Sequence, residues 1–257
     1  MRIVFLREAA ILLCLLCMLN FCGCTDSDEN LQTEVMNFFE ETQAQPAQTE
    51  RKNLDEFEII FQSPELPTGC EITSLAMVLN YYGFDVDKCT LASDYLPTLP
   101  FADTYIGDDG LIHGNDLNSW FIGNPADYNG YVCGAKAIAT AAKAYLDDYE
   151  GGNFIVSDMS GANFDALQSF IKNEVPVIVW CTINMSERNE VEGWYNDNRD
   201  YVSWAHEDHC AVLIGCGDAT VTIADPISGI VEYDKEQFKA SFKSRNRQCV
   251  VVYNQEI

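Results

Sequence analysis

Residues 66–83 read LPTGCEITSLAMVLNYYG, and this stretch decides the fold of the chain. Apolar residues recur in it at helical spacing, which predicts a helix with one buried face. That face consists of Ile72, Leu75, Ala76 and Leu79. Thr68 and Glu71 stand three apart, the spacing of a capping box, which predicts Thr68 as N-cap and Glu71 as a capping residue. Gly83 follows the last apolar position, where a left-handed C-terminal cap is expected.

Cys70 falls in the first turn of this predicted helix. A thiol at that position lies at the positive end of the helix dipole, which stabilises its thiolate. Because the thiolate is the nucleophilic form of cysteine, the position favours Cys70 as a nucleophile over a purely structural cysteine.

The composition limits the possible partners. Of 257 residues, 47% are hydrophobic and 12% aromatic, which is typical of a packed globular protein. The formal net charge of -25 excludes a nucleic acid or an anionic membrane surface as partner, because both require basic patches. A solvated acidic surface explains this charge, and an attraction for basic peptides stays open.

The N-terminus has the pattern of an export signal. Arg2 and Arg7 precede an apolar run over residues 9–19, too short to span a bilayer, which takes about 20 residues. We therefore expect a signal peptide over residues 1–23. The Gly-Cys pair at its end resembles a lipobox, which predicts lipidation of Cys24; ordinary secretion and an uncleaved anchor are the alternatives. We therefore expect an extracytoplasmic protein that is either secreted or held at the membrane only by an N-terminal lipid or signal anchor.

The rest of the chain divides into a linker and one domain. Residues 24–56 are polar and predict a linker, and residues 57–257 predict a single α+β domain, with helices first and antiparallel strands later. The helix that carries the nucleophile is expected to pack on this antiparallel sheet. Residues 92–133 and 185–205 are predicted as loops that shape a groove. Cysteine counting leaves disulfide pairing open.

A predicted hairpin supplies a base for the thiol. Strands over residues 210–215 and 220–225 flank a turn that contains Gly217. A turn centred on Gly217 places His209 directly opposite Asp225, where the carboxylate can orient the imidazole. The Asp225 side chain can alternatively serve only to start a turn before proline.

Two further positions complete the candidate chemistry. Gln62, eight residues before Cys70, can donate to a developing oxyanion together with the backbone N–H of Cys70. His206 lies outside the predicted register and is the alternative base. The spacing HEDH at 206–209 is not that of a metalloprotease, so no metal or cofactor is expected.

Several segments, in order, carry a family resemblance: Gln62 with PTGCEITSLAMVLNYYG, GNP at 123–125, PVIVW at 176–180, HCAVLIG at 209–215 and ADP at 224–226. From about Phe57 to the C-terminus, the chain resembles the C39-like cysteine peptidases, relatives of the double-glycine leader peptidases of bacteriocin export. The exporter members carry fused membrane and ATPase domains. The sequence shows neither, so leader processing during export is not implied.

The resemblance implies a papain-like α+β fold and assigns a role to four residues. Cys70 would be the nucleophile, His209 the general base and acid, Asp225 the orienting residue and Gln62 an oxyanion donor. The expected function is hydrolysis of a peptide or protein through an acyl-enzyme on Cys70. A cell-wall peptide amidase of the NlpC type and a non-catalytic surface binding module are the alternatives.

Overall fold

The computed structural model describes residues 53–102, 104–149, 152–189 and 192–255. The predicted signal peptide, Cys24 and nearly all of the predicted linker lie outside the described residues. No helix among the described residues has the length and apolarity needed to cross a membrane. The α-helices in these residues are α1 Cys70–Tyr81, α2 Lys88–Asp94, α3 Ala135–Asp148, α4 Phe164–Lys172 and α5 Lys235–Ser244.

Short 3-10 turns cover Leu54–Glu56 and Ile183–Met185. The strands are β1 Thr98–Leu99, β2 Tyr105–Ile106, β3 Ile112–His113, β4 Phe121–Ile122, β5 Phe154–Asp158, β6 Val177–Thr182, β7 Glu192–Tyr195, β8 Tyr201–Trp204, β9 Asp208–Cys216, β10 Thr220–Asp225, β11 Gly229–Asp234 and β12 Cys249–Asn254.

The core of the domain is a six-stranded antiparallel sheet in the order β11-β10-β9-β6-β12-β5. Helices α1 and α3 pack on one face of this sheet, and α4 and α5 pack on the other. β6 is buried along its whole length, as its continuous apolar sequence predicts. The expected α+β fold, with the cysteine helix packed on an antiparallel sheet, is confirmed.

Helix α1 begins one residue later than a Thr68 cap requires. Gly69 is the N-cap and makes no side-chain capping bond, whereas the Thr68 hydroxyl donates to the Asp127 carbonyl at 3.0 Å. The predicted capping box is therefore wrong. The predicted C-terminal cap is confirmed, because Gly83 has φ +90° and Phe84 N–H donates to Leu79 O at 3.2 Å, as in a Schellman motif.

The antiparallel pairing gathers several strand ends at one end of the sheet, which we call the site end. β9 and β12 begin there, and β5, β6 and β10 finish there. Helix α1 packs on β9 and β6, and its first residue lies against the start of β9. Residues from distant parts of the sequence therefore meet at this end.

The two segments predicted as loops contain additional sheets. β1 and β4 form a parallel pair, and β2, β3, β7 and β8 form a four-stranded sheet that joins the two segments. Trp194 Nε1 donates to Asn115 O at 2.8 Å, and the rings of Tyr131 and Trp204 stack at 4.7 Å. Strands of two to four residues are too short for a clear alternation, so the sequence pattern missed them.

Candidate active site

Cys70 is the first residue of α1 and is buried. Its sulfur donates to Oε2 of Glu71 at 3.3 Å. Burial, and next the charge of Glu71, raises the pKa of the Cys70 thiol well above its ordinary value. This result contrasts with the thiolate expected from the helix dipole. Desolvation and a neighbouring carboxylate outweigh the dipole in this state of the protein.

His209 and Asp225 form a buried pair at the site end. His209 Nε2 lies 2.9 Å from Asp225 Oδ1, and the same carboxylate oxygen accepts from Ile227 N–H at 2.8 Å. Burial acts to raise the pKa of Asp225, but the hydrogen bond and charge of His209, with two backbone amides, bring it below its ordinary value. Since Nε2 is engaged by the carboxylate, Nδ1 is the imidazole nitrogen left for a nucleophile.

The register that produces this pair differs from the predicted one. Val221 pairs with Cys216, and after a shift between Thr222 and Ile223 the ladder continues with Ala224 opposite Val212. His209 therefore lies diagonal to Asp225 and not directly opposite it, since the turn follows Gly217 instead of centring on it. Diagonal neighbours on one face are still within reach of long side chains, which preserves the contact.

Glu71 occupies the space beside the nucleophile. Its side chain is 1% exposed, and Oε1 accepts from Cys133 N–H at 2.9 Å while Oε2 accepts from the Cys70 thiol. The Cys133 carbonyl in turn accepts from Trp180 Nε1 at 2.7 Å. The capping box that pairs Glu71 with Thr68 is not formed. The carboxyl interacts with its own backbone N–H in the first turn of α1, and its two oxygens are bonded to Cys133 N–H and to the Cys70 thiol.

The backbone of β9 brings Cys70 and the His209–Asp225 pair close together. The Cys70 sulfur interacts with the backbone of Cys210, the residue after His209, and this contact acts to lower the thiol pKa. The charge of His209 also acts on the Glu71 carboxyl. The imidazole and the thiol therefore share a neighbourhood, although the sulfur makes its hydrogen bond to Glu71 in this state.

Gln62 is buried and contacts the chain directly after Asp225. Its backbone N–H donates to Pro226 O at 2.9 Å, one residue after Asp225. Its side-chain Nε2 donates to Pro67 O at 2.7 Å, and its buried Oε1 has no hydrogen-bond partner among the described residues. The side-chain amide of Gln62 is thus held close to the first turn of α1 by a single hydrogen bond.

Lys88 fixes the segment that carries Gln62, a role that sequence reasoning missed. Its buried ammonium donates to the carbonyls of Phe61 and Gln62, the latter at 2.9 Å, and pairs with Glu65 at 2.8 Å. A lysine in the first turn of a helix gives no sequence signal for such a contact.

A buried ionic network fixes the start of β9, directly before His209. Asp208 Oδ1 accepts from Arg188 Nε at 2.7 Å, and Oδ2 lies 2.8 Å from Arg245 Nη1. Oδ2 also accepts from Ala205 N–H at 3.1 Å. The partners are 20 and 37 residues from Asp208 in the sequence, so only the fold reveals the network.

His206, the alternative base, lies elsewhere. Its side chain is exposed and packs edge-on against Trp204, with ring centroids 4.6 Å apart. The carboxylate at the site end is instead bonded by His209. The geometry therefore favours His209 over His206 as the partner of Cys70.

A cavity of about 710 Å³ opens at the site end. Its wall includes Asp158, which ends β5, and Gln248, which directly precedes β12. Cys133 lines it as well and links it to the nucleophile through Glu71. Further lining residues come from 116–118 and from 196–203, within the two segments predicted to shape a groove.

The sequence matches a known peptidase family. A profile of the Peptidase_C39 like family matches residues 54–250, so the chain belongs to this family. The chain is 32% identical over 191 residues to "Uncharacterized protein YvpB" of Bacillus subtilis, covering 74% of this chain and 71% of the relative.

One solved structure agrees with this assignment. A "putative C39-like peptidase" from Bacillus anthracis superposes with a TM-score of 0.68 at 30% identity, covering 80% of this chain and 98% of that one. A double glycine motif protease from an AMS/PCAT transporter, solved with its leader peptide, covers 82% of this chain and 98% of that one, at 19% identity and a TM-score of 0.40.

Proposed function

We propose that the protein is an exported cysteine peptidase that hydrolyses peptide bonds through an acyl-enzyme on Cys70. One observation carries the proposal: Cys70, in the first turn of α1, contacts β9, the strand that carries His209, and His209 forms a buried pair with Asp225 of β10. Nucleophile, base and orienting group are the three parts that thiol acyl transfer requires. Membership of the Peptidase_C39 like family supports the same reaction.

The proposed reaction begins with proton transfer from the Cys70 thiol to Nδ1 of His209. The thiolate attacks the scissile carbonyl carbon, and the imidazolium then protonates the leaving amine as the C–N bond breaks. Water attacks the resulting thioester with His209 as base, which releases the acid product and the free thiol. Asp225 holds Nε2–H throughout, so that Nδ1 faces the sulfur.

Two resting contacts have to change before this reaction can run. The Cys70 sulfur leaves Glu71 for His209, and the Gln62 amide leaves the Pro67 carbonyl for the substrate oxyanion. The backbone N–H of Cys70 is the second donor, because the first N–H groups of a helix have no partner within it. Bound substrate supplies the carbonyl that replaces Pro67 as acceptor.

The cavity at the site end has a polar, charged wall. Its lining carries both cationic and anionic side chains, namely Lys136, Arg188, Arg245, Asp116, Asp158 and Asp200. These charged side chains can form hydrogen bonds with the backbone carbonyl and N–H groups of a bound peptide. None of the four candidate catalytic residues lines the cavity, so we propose it as a secondary contact surface for the substrate.

The decisive experiment compares wild-type protein with Cys70→Ala on a proteome-derived peptide library. Wild-type protein should generate new peptide termini, and Cys70→Ala should generate none. Purified peptidoglycan, incubated in parallel, distinguishes a cell-wall amidase from a peptidase. Equal, unchanged substrate pools for both proteins would instead support a non-catalytic binding module.

We further propose that the protein acts outside the cytoplasm, tethered by a lipid on Cys24. The support comes from the sequence alone: the basic start, the apolar run and the Gly-Cys pair. Mass spectrometry of the mature N-terminus in the natural host should find a lipidated Cys24. Cys24→Ser should release the protein from the membrane fraction, and an unmodified Cys24 would contradict the proposal.

A further inference from the structure

The side chain of Glu71 contacts the reacting atom of the proposed mechanism but has no role in it. Its carboxyl is fully enclosed, with Oε2 3.3 Å from the Cys70 sulfur and Oε1 bonded to Cys133 N–H at 2.9 Å. An ionised carboxyl is costly to bury unless it is hydrogen-bonded or paired with a charge. The Glu71 carboxyl has a backbone donor on one oxygen and the thiol of the proposed nucleophile on the other.

This geometry allows two protonation states and disfavours a third. An ionised carboxyl accepts the S–H of Cys70 and keeps the proton on sulfur. A protonated carboxyl can instead donate its O–H to a thiolate. A carboxylate and a thiolate side by side in a buried site repel each other, in the same way that adjacent carboxylates share one proton.

The other groups around Glu71 set the balance between these states. Burial is the largest influence and raises the pKa of Glu71. The backbone N–H groups of Cys133 and of Glu71 itself, the Cys70 thiol and the charge of His209 oppose this increase. Glu71 also interacts electrostatically with the remaining titratable neighbours, the thiols of Cys133 and Cys210 and the guanidinium of Arg245.

We propose that Glu71 is a further catalytic residue, which controls whether Cys70 is a thiol or a thiolate. In the resting state the ionised carboxyl holds the S–H and turns the sulfur away from His209. In the reactive state Glu71 has taken one proton from solvent, the thiol proton has moved to Nδ1 of His209, and Glu71 donates its O–H to the thiolate. The proposal rests on Cys70 being the nucleophile of the proposed function.

Alkylation of Cys70 by iodoacetamide tests this role without any substrate. Rates are measured on the full-length chain from about pH 5 to about pH 9. The Cys70 peptide is quantified by mass spectrometry, because Cys89 and Cys216 are partly exposed and also react.

In Glu71→Gln the amide oxygen still accepts from Cys133 N–H, and the amide N–H can donate to the thiolate. The midpoint of the alkylation profile should move to lower pH by about one unit or more, equivalent to about tenfold more thiolate at a fixed pH below it.

Glu174→Gln is the matched control. The Glu174 carboxyl also accepts a hydrogen bond from a backbone N–H, that of Leu54, at 2.8 Å. The backbone carbonyl of Glu174 accepts from the hydroxyl of Tyr81, at the far end of α1. The length of that helix separates it from the sulfur, so its alkylation profile should equal that of the wild type. A folded Glu71→Gln protein with the wild-type profile would overturn the proposal.

If Glu71→Gln does not fold, the wild-type protein provides the test. The protonation of the Glu71 carboxyl is followed by infrared spectroscopy before and after alkylation of Cys70. Loss of the S–H donor should raise its protonation midpoint, and an unchanged midpoint would overturn the proposal. Neither measurement uses a peptide substrate. If the protein cleaves no peptide, the proposed function is contradicted, but the role of Glu71 in controlling the Cys70 thiol is still tested.

Discussion

The imidazole of His209 reaches the carboxylate of Asp225 diagonally across the β9–β10 pair, with Nε2 2.9 Å from Oδ1. The same carboxylate oxygen accepts from the backbone of Ile227 directly after the strand. The carboxylate thus connects the imidazole of His209 to the turn that follows β10. Two residues that sit on separate strands form a unit because the site end of the sheet brings them together.

Asp225→Ala should lower kcat/KM for peptide cleavage by about 100-fold or more, because the imidazole loses the group that fixes its tautomer. Asp225→Asn keeps an oxygen that can accept Nε2–H, so it should recover part of this loss. Thermal unfolding of both variants separates a catalytic defect from unfolding. Equal losses in Asp225→Ala and Asp225→Asn would contradict an orienting role through hydrogen bonding.

Gln62→Leu should lower kcat for peptide cleavage by about 100- to 1,000-fold, the effect of losing one oxyanion donor. Alkylation of Cys70 by iodoacetamide should be unchanged in the same variant, since that reaction forms no oxyanion. Quenched peptide-cleavage assays give kcat, and quantitative mass spectrometry of the same protein sample gives the rate of Cys70 alkylation. A parallel fall in alkylation would mean that Gln62 acts on the thiol itself.

Asp208→Ala should destabilise the protein by about 3–5 kcal/mol, because the buried guanidinium of Arg245 then lacks its carboxylate. The free energy of unfolding in urea measures this loss. Glu236→Ala, which breaks the exposed pair with Lys239, should produce a much smaller change. Equal effects of the two substitutions would contradict a structural role for the network beside His209.

The sequence predicted those parts of the site that depend on local pattern. Cys70 in the first turn of a helix, and His209 and Asp225 at the end of a hairpin, follow from helical periodicity, strand alternation and turn residues. The predicted register was wrong because the turn follows Gly217 instead of centring on it, and the later shift between Thr222 and Ile223, which leaves no mark in the alternation, returns His209 and Asp225 to one face. The contact tolerates that error, since both residues stay on one face of the sheet.

Other features depend on contacts that no local pattern encodes. Glu71 fits a capping box by spacing, yet its carboxyl turns toward Cys133, 62 residues away in the sequence. The ion pair between Asp208 and Arg245 forms only when α5 packs on the sheet. The raised pKa of the Cys70 thiol likewise depends on burial by the assembled domain, whereas the helix dipole can be read from the sequence.

Glu71→Gln should stabilise the folded protein at neutral pH and lose this advantage in acid. The pKa of Glu71 is raised in the folded state, so its proton is bound more tightly there than in the unfolded chain. Wild-type stability relative to the variant should fall as pH rises from about 4.5 through the folded-state pKa, by about 1.4 kcal/mol per unit of pKa difference. Urea unfolding at several pH values measures this difference in the free energy of unfolding. Asp225→Asn provides the opposite sign: the pKa of Asp225 is lowered, so its contribution is lost as pH falls below about 3.8. A constant difference between Glu71→Gln and wild type across this range would show that the carboxyl is not held in a low-polarity site.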